Sequence, residues 1–233
     1  MDILPLITRT AERFRERLLQ EPGATRLELP DDLLGRGDWR WDNLVLTASR
    51  FRYAHVETFA VSDRVSVLHS CVFAHLDDPS PIFGYDIVAG PSKVTGLFLD
   101  LSNTVDPARP TGLAGLVAAS GTRFAERRTL PDWGRIFSPD ILAIRPVSID
   151  EVIAANDIAL QALDQMLASP RRHCPDLCTQ IEAGQSAYIQ AQRQNQHTFR
   201  MLSGFVGADR ARRFIDDVLF PSVSHTYAAP AFA

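Results

Sequence analysis

The middle of the chain contains five short segments rich in β-branched and aromatic residues, and the links between them are very short. The link at residues 90–93, for example, has no room for a helix. Strands joined by tight turns pair antiparallel, so this region predicts a largely antiparallel sheet. The predicted strands are Asn43–Ser49, Arg52–Val61, Val65–Phe73, Ile82–Ala89 and Val94–Leu101.

Helical periodicity of apolar residues appears on both sides of this strand region. Ser148 is a predicted N-cap, and Gly204 and Gly207 are predicted helix breakers. This order favours an α+β layered domain in which helices cover both faces of the sheet. Because no stretch is typical of a linker, we expect residues 1–233 to form one domain. The predicted helices are Ile3–Leu19, Gly112–Arg127, Asp150–Leu167, Gln180–Gly204 and Asp209–Leu219.

Composition excludes several classes of function. The net charge of -4 gives no basic surface for nucleic acid, so we expect no nucleic-acid partner. No apolar run approaches the roughly 20 residues that span a bilayer, so we expect no membrane association. Three cysteines are too few for a disulfide framework and favour a reducing compartment, so we expect the protein to be cytoplasmic.

The common cofactor and nucleophile motifs are absent from the sequence. It has no G-x-G-x-x-G turn, no phosphate-binding G-x-x-x-x-G-K-[ST] loop and no G-x-S-x-G elbow. Bound nicotinamide or ATP is therefore disfavoured. The fragment His173–Cys178 lacks the second pair of ligands found in zinc modules, so we expect no metal.

Four titratable residues interrupt the predicted strands. His55 and Glu57 are two residues apart, which places both side chains on one face of the sheet. His69 follows on the next strand, and Asp86 is the single carboxylate in an otherwise apolar third strand. A lone buried carboxylate is costly unless it is paired or protonated. Each residue alone fits a structural role, but the set predicts an acid–base site on the sheet.

The segments that carry these residues resemble the ferredoxin-dependent bilin reductases, in order and without large gaps over most of residues 40–221. The similar segments are Arg52–Glu57, Val67–His69, Ile82–Pro91, Leu99–Ser102, Leu130–Ser138, Ile144–Pro146, scattered positions of Tyr188–Arg200, and Val218–Phe220. The resemblance implies a three-layer α/β/α sandwich that binds biliverdin between the sheet and the C-terminal helices. It implies no bound metal, flavin or nicotinamide, and reduced ferredoxin as the electron donor.

The resemblance also implies roles for the four strand residues. Asp86 and His69 match the proton-donating pair of the family, Glu57 matches the residue that goes with reduction of the D-ring vinyl group, and His55 completes the proton network. An added electron raises the basicity of a conjugated ring, and an acid within reach can then protonate it.

Four further residues are expected to bind the substrate. Arg128 lies where the family has an arginine for a propionate of the bilin, and a guanidinium suits a carboxylate. Asn195 matches the family, but Gln196 and His197 stand where it has an aspartate and a lysine. Gln196 is not an acid, which puts proton supply from the helical side in doubt.

With Glu57 and His69 both present, we expect four-electron reduction of biliverdin IXα to phycocyanobilin by a monomer. A two-electron reductase or one forming phycoerythrobilin stays open because of Gln196. An alternative of another class is a bilin carrier that performs no chemistry.

Overall fold

The computed structural model describes residues 3–30, 33, 38–62, 64–130 and 132–225. Among these residues, seven strands form one antiparallel sheet in which the spatial order follows the chain order. The strands are β1 (Thr25–Arg26), β2 (Trp39–Thr47), β3 (Tyr53–Val61), β4 (Val65–Phe73), β5 (Ile82–Ala89), β6 (Val94–Ser102) and β7 (Leu142–Ile144). The predicted antiparallel sheet is confirmed.

The predicted limits of β4 and β5 are confirmed at both ends, whereas β2 begins at Trp39 and not at Asn43. In the first half of β2 the tryptophans alternate with the exposed polar residues Arg40 and Asp42, so this half contains no apolar run that would indicate a strand. Strands β1 and β7 were not predicted, because two or three residues are too few for a periodic pattern.

Six α-helices lie before and after the main strands in the described part of the chain. They are α1 (Leu4–Leu19), α2 (Leu113–Ala119), α3 (Ile149–Ala168), α4 (Cys178–Arg193), α5 (Gln196–Val206) and α6 (Ala208–Phe214). A π-helical turn, Ile215–Leu219, continues α6. Ser148 is confirmed as the N-cap of α3, since its hydroxyl accepts a hydrogen bond from the Glu151 N–H at 3.2 Å.

Two predicted helices were too long. The single helix predicted over Gln180–Gly204 is wrong, because the chain leaves helical geometry at Asn195, whose side chain caps α5. Gly204 lies inside α5 and is not a breaker, whereas Gly207, with a φ of 85°, does end that helix. The helix predicted over Gly112–Arg127 ends at Ala119, shortly before Gly121 with its φ of 67°.

The sheet separates two hydrophobic cores. Helices α1, α2 and α3 pack on one face, where Phe14 contacts Phe83 and Tyr85 at ring-centroid distances of 5.8 and 5.5 Å. Helices α4, α5 and α6 pack on the other face and bury residues such as Tyr188 and Phe214. The predicted α+β sandwich with helices on both faces is confirmed, and the acid–base residues lie on the second face.

Candidate active site

Three titratable side chains lie side by side across the centre of the sheet. The register pairs Glu57 on β3 with His69 on β4, and His69 with Asp86 on β5. Residues directly opposite in antiparallel strands point to the same face. The ring of His69 contacts the ring of Phe220 at 5.5 Å, so this face is the one covered by α4, α5 and α6. The structure thus brings the predicted residues together.

His69 and Asp86 form a direct pair. The distance between His69 Nδ1 and Asp86 Oδ1 is 2.7 Å, with His69 buried and the Asp86 side chain 36% exposed. Burial by itself would lower the pKa of His69, but the Asp86 carboxylate, together with Cys71, raises that pKa well above its ordinary value. His69 therefore holds a proton near neutral pH beside a carboxylate that reaches the cavity.

Glu57 is buried and has one identified donor. The indole N–H of Trp41 donates to Glu57 Oε1 at 2.7 Å. Burial raises the pKa of Glu57 to about 7, although the charge on His69 and the Trp41 hydrogen bond oppose that rise. Near neutral pH the carboxyl is therefore divided between its protonated and ionised forms.

His55 lies next to this row, two residues before Glu57 on β3, and is completely buried. Its Nε2 is 2.9 Å from Asn43 Oδ1, and its ring centroid is 5.6 Å from that of His69. Burial lowers the pKa of His55 well below its ordinary value, and the charges on His69 and Arg15 lower it further. His55 is therefore a neutral imidazole that packs beside the row on the same face of the sheet and does not itself line the cavity.

A cavity of about 640 Å³ lies between the sheet and the C-terminal helices. Cavities of roughly 300–1,000 Å³ hold ligands of drug size, so this one is large enough for a sizeable organic molecule. Glu57, His69 and Asp86 form part of its wall, and apolar groups such as Phe98 and Leu219 form much of the rest. The site thus combines an apolar surface with three titratable side chains.

Two arginines stand at the rim. Arg128 donates from Nη1 to the Thr95 carbonyl at 2.7 Å, and its guanidinium lies 5.4 Å from the centroid of the Phe98 ring. A Cβ at Gly96 would lie 2.7 Å from Arg128 Nη1, so the glycine leaves the space that the arginine occupies. Arg145 also lines the cavity, although its role was not predicted. These cations suit a ligand that carries carboxylates.

Of the three substrate-binding residues predicted on the helical side, two line the cavity. Asn195 and His197 line the cavity, whereas the exposed Gln196 does not. The Asn195 side-chain oxygen accepts the His197 backbone N–H at 3.0 Å and so caps α5. Asn195 thus places His197 at the first turn of that helix, next to the cavity.

Sequence reasoning assigned no role to several other residues of the site. Tyr188 and Asp100 line the cavity, and Trp41 and Asn43 hold Glu57 and His55 from the neighbouring strand β2. The pairing of β2 with β3 was the only available signal for Trp41 and Asn43. A strand predicted from Asn43 onward left Trp41 outside it.

One group of residue types that bind metals comes together among the described residues. His55, His69 and Cys71 offer ligand atoms within 4.8 Å of one another. One nitrogen of each imidazole already contacts an oxygen, in Asn43 for His55 and in Asp86 for His69. The other nitrogen of each ring, Nδ1 of His55 and Nε2 of His69, is buried without a hydrogen-bond partner among the described residues. No helix of the described ranges is long and apolar enough to cross a bilayer.

The family model for ferredoxin-dependent bilin reductases matches residues 11–221. The chain therefore belongs to this family of oxidoreductases, whose electrons come from ferredoxin.

Curated relatives cover nearly the whole chain. Phycocyanobilin:ferredoxin oxidoreductase of Gloeobacter violaceus is 34% identical over 231 residues, which are 93% of this chain and 90% of the relative. The enzyme of the same name from Synechococcus sp. strain CC9902 is 29% identical over 230 residues, 94% of each chain.

Two solved structures share the fold. Tomato phytochromobilin synthase in complex with biliverdin matches with a TM-score of 0.68 and 17% identity, over 94% of this chain and 83% of that one. The structure of a protein called PcyX matches with a TM-score of 0.66 and 21% identity, over 94% and 99%.

Proposed function

We propose that this reductase acts on biliverdin IXα and converts it to phycocyanobilin with four electrons from reduced ferredoxin and four protons. The observation that carries the proposal is the His69–Asp86 pair, 2.7 Å apart, at the wall of a cavity of about 640 Å³. The names of the relatives support the choice of substrate and product.

In the proposed mechanism, proton transfer follows each electron. An electron added to the conjugated tetrapyrrole makes its nitrogens, oxygens and carbons more basic, and a nearby acid then protonates it. Asp86 reaches the cavity and is paired with His69, which keeps a proton near neutral pH. His69 and Asp86 are therefore the proposed donors, and neutral His55 supports the pair.

Glu57 is the proposed donor for the D-ring vinyl group. Its pKa of about 7 means that it carries a proton in about half of the molecules near neutral pH and can regain one after each transfer. An ordinary surface glutamate is almost fully ionised at that pH and would be a poor acid.

Arg128 is the proposed partner of a propionate of the bilin. Its contacts with Thr95 and Phe98 hold the guanidinium at the cavity rim. Asn195 and His197 are proposed to contact the substrate from the helical side, where His197 replaces the family's lysine. For exposed Gln196 we propose at most an indirect influence, because its side chain does not line the cavity.

A two-electron reductase is the second candidate. It is favoured by Gln196, which cannot act as an acid at the position where the family has an aspartate.

We further propose that the protein works as a monomer in the cytoplasm, as one domain and without a bound cofactor.

The test is an anaerobic assay with biliverdin, a plant-type ferredoxin and a system that reduces it. Absorbance spectra and chromatography against standards identify the product. We expect phycocyanobilin. A two-electron product or phycoerythrobilin would support the second candidate or a related reductase, and an unchanged biliverdin spectrum of a bound pigment would indicate a carrier.

A further inference from the structure

Trp41 is a buried residue of β2 that lies outside the cavity wall but contacts one of its acids. Its indole N–H donates to Glu57 Oε1 at 2.7 Å, across the pairing of β2 with β3. With Oε1 held by the indole, Oε2 is the oxygen that Glu57 can present to the cavity that it lines. The tryptophan thus fixes the carboxyl orientation.

Aromatic and cationic groups hold the indole in turn. The Trp41 ring lies 4.4 Å from the centroid of the Phe214 ring on α6 and 5.8 Å, edge to face, from that of Phe59. The guanidinium of Arg210, also on α6, lies 5.5 Å from the centroid of the indole. A ring enclosed on these sides has little freedom to rotate, so its N–H points steadily at Glu57.

We propose that Trp41 is a positioning residue that aims the Glu57 carboxyl and so determines how efficiently the D-ring vinyl group is reduced. The inference rests on the proposed function, since it assigns a specificity role within that reaction. Trp41 acts through Glu57 and does not touch the substrate.

The charges that face Glu57 are known from each side. His69 on β4 favours the ionised carboxylate, and Asp86 on β5 disfavours it. From β2 the Trp41 hydrogen bond favours the ionised form, and Arg210 on α6 lies behind the indole. Loss of the donor therefore raises the pKa of Glu57, while the charges of the other groups stay in place.

The test is Trp41→Phe, which keeps an aromatic ring and removes the donor. The matched control is Trp39→Phe, the same change on the same strand, where the indole N–H has no hydrogen-bond partner among the described residues. In the Trp41 variant we expect the ratio of two-electron to four-electron product to rise about tenfold, as for loss of one hydrogen bond to a charged group. The control should keep the wild-type ratio.

A second readout does not depend on turnover. Infrared difference spectra of the bilin-free protein, with Glu57→Gln as the blank, give the pH midpoint of the Glu57 carboxyl. In Trp41→Phe this midpoint should rise by about one pH unit. If the wild type does not reduce biliverdin, the proposed function fails, and the midpoint still tests the contact between Trp41 and Glu57.

Two further variants separate positioning from general damage. On a Glu57→Gln background, Trp41→Phe should leave the product ratio unchanged. Trp41 acts only through Glu57, so the effects of the two substitutions should not add. If Trp41→Phe does not fold, Phe214→Leu loosens the same indole and should move the ratio and the midpoint in the same direction. An unchanged ratio and midpoint in both single variants would overturn the inference, as would an equal effect of Trp39→Phe.

Discussion

The two carboxyl groups of the site differ because their surroundings differ. The Asp86 side chain is 36% exposed and paired with an imidazole, whereas Glu57 is 3% exposed and has a single indole donor. Burial raises the pKa of Glu57 to about 7, because its effect exceeds the opposing effects of the His69 charge and the Trp41 hydrogen bond. Two acids with different environments can serve two different positions of one substrate.

The raised pKa of Glu57 makes folding stability depend on pH. The folded state binds this proton more tightly than the unfolded state, so the stability contribution is fully present below pH 4.5 and is lost as the pH rises to about 7. Glu57→Gln removes the titration. We expect the unfolding free energy of the variant, relative to the wild type, to increase by about 3 kcal/mol between pH 4 and pH 8.

Denaturant unfolding of both proteins at each pH measures this difference. The control is Glu12→Gln at an exposed position of α1. The unfolding free energy of this variant, relative to the wild type, should change little over the same pH range. A Glu57→Gln difference that stays constant from pH 4 to pH 8 would show that Glu57 has an ordinary pKa.

Helix α4, which contributes Tyr188 and Gln192 to the cavity wall, lies close to the loop that follows β6. Gly184 on α4 permits this approach, since a Cβ there would lie 2.1 Å from the Thr104 carbonyl oxygen. The other wall depends on the break between α4 and α5, where Asn195 caps the new helix. If α4 and α5 formed one continuous helix, His197 would lie at a different position relative to the cavity.

Gly184→Ala should therefore destabilise the protein. The new methyl group meets backbone that cannot rotate away, and overpacking of this kind typically costs about 1–3 kcal/mol. The matched control is Gly204→Ala in α5, where a Cβ meets nothing within 4 Å. That change should stabilise the helix by up to about 1 kcal/mol. Thermal and denaturant unfolding measure the stability of both variants. If the two substitutions changed the unfolding free energy equally and in the same direction, the close approach of α4 to the loop would be contradicted.

The sequence predicts those site residues that interrupt a regular pattern of apolar residues, and it misses those that do not. Asp86 is visible as one carboxylate in an apolar strand, and His55 and Glu57 as a pair with period-two spacing. The pairing of Glu57 with His69 follows from the short link between β3 and β4, which nearly fixes the register. The link between β4 and β5 spans residues 74–81 and is too long to fix a register, so the contact of His69 with Asp86 could not be predicted in this way. Trp41 gave no signal, because polar neighbours concealed the start of β2, and the helix break at Asn195 gave only the weak signal of a capping residue.

The whole molecule has a net charge of -4, which disfavours binding of an acidic ligand. Such a ligand therefore needs a local positive site, and the cations at the cavity rim are the candidates for it. Arg128 and Arg145, both on the chain between α2 and α3, line the cavity, and Arg145 also lies 3.8 Å from the Glu126 carboxylate. The position of Arg128 was expected from family resemblance alone, and neither periodicity nor spacing points to Arg145. That residues 1–233 form one domain remains our proposal.

Arg128→Gln should weaken binding of biliverdin by about tenfold to a hundredfold, because a charge-assisted contact with a carboxylate is lost. The affinity of the variant should also depend less on salt. The control is Arg13→Gln on α1, in the opposite layer, where an exposed ion pair with Asp157 is lost at little cost. Absorbance titration with the pigment measures both, and equal affinities of the two variants would exclude Arg128 from the binding site.

We propose that Asp86 and His69 supply protons to the reduced pigment, and Asp86→Asn removes the acid from this pair. The amide keeps the shape and a hydrogen-bond acceptor but is no acid. The measurement is anaerobic turnover of biliverdin with reduced ferredoxin, followed by absorbance, beside wild type and the control Asp157→Asn on α3. We predict that Asp86→Asn binds biliverdin but does not complete its reduction, while the control reacts like wild type. Wild-type turnover by Asp86→Asn would show that the reduction does not need a proton from Asp86.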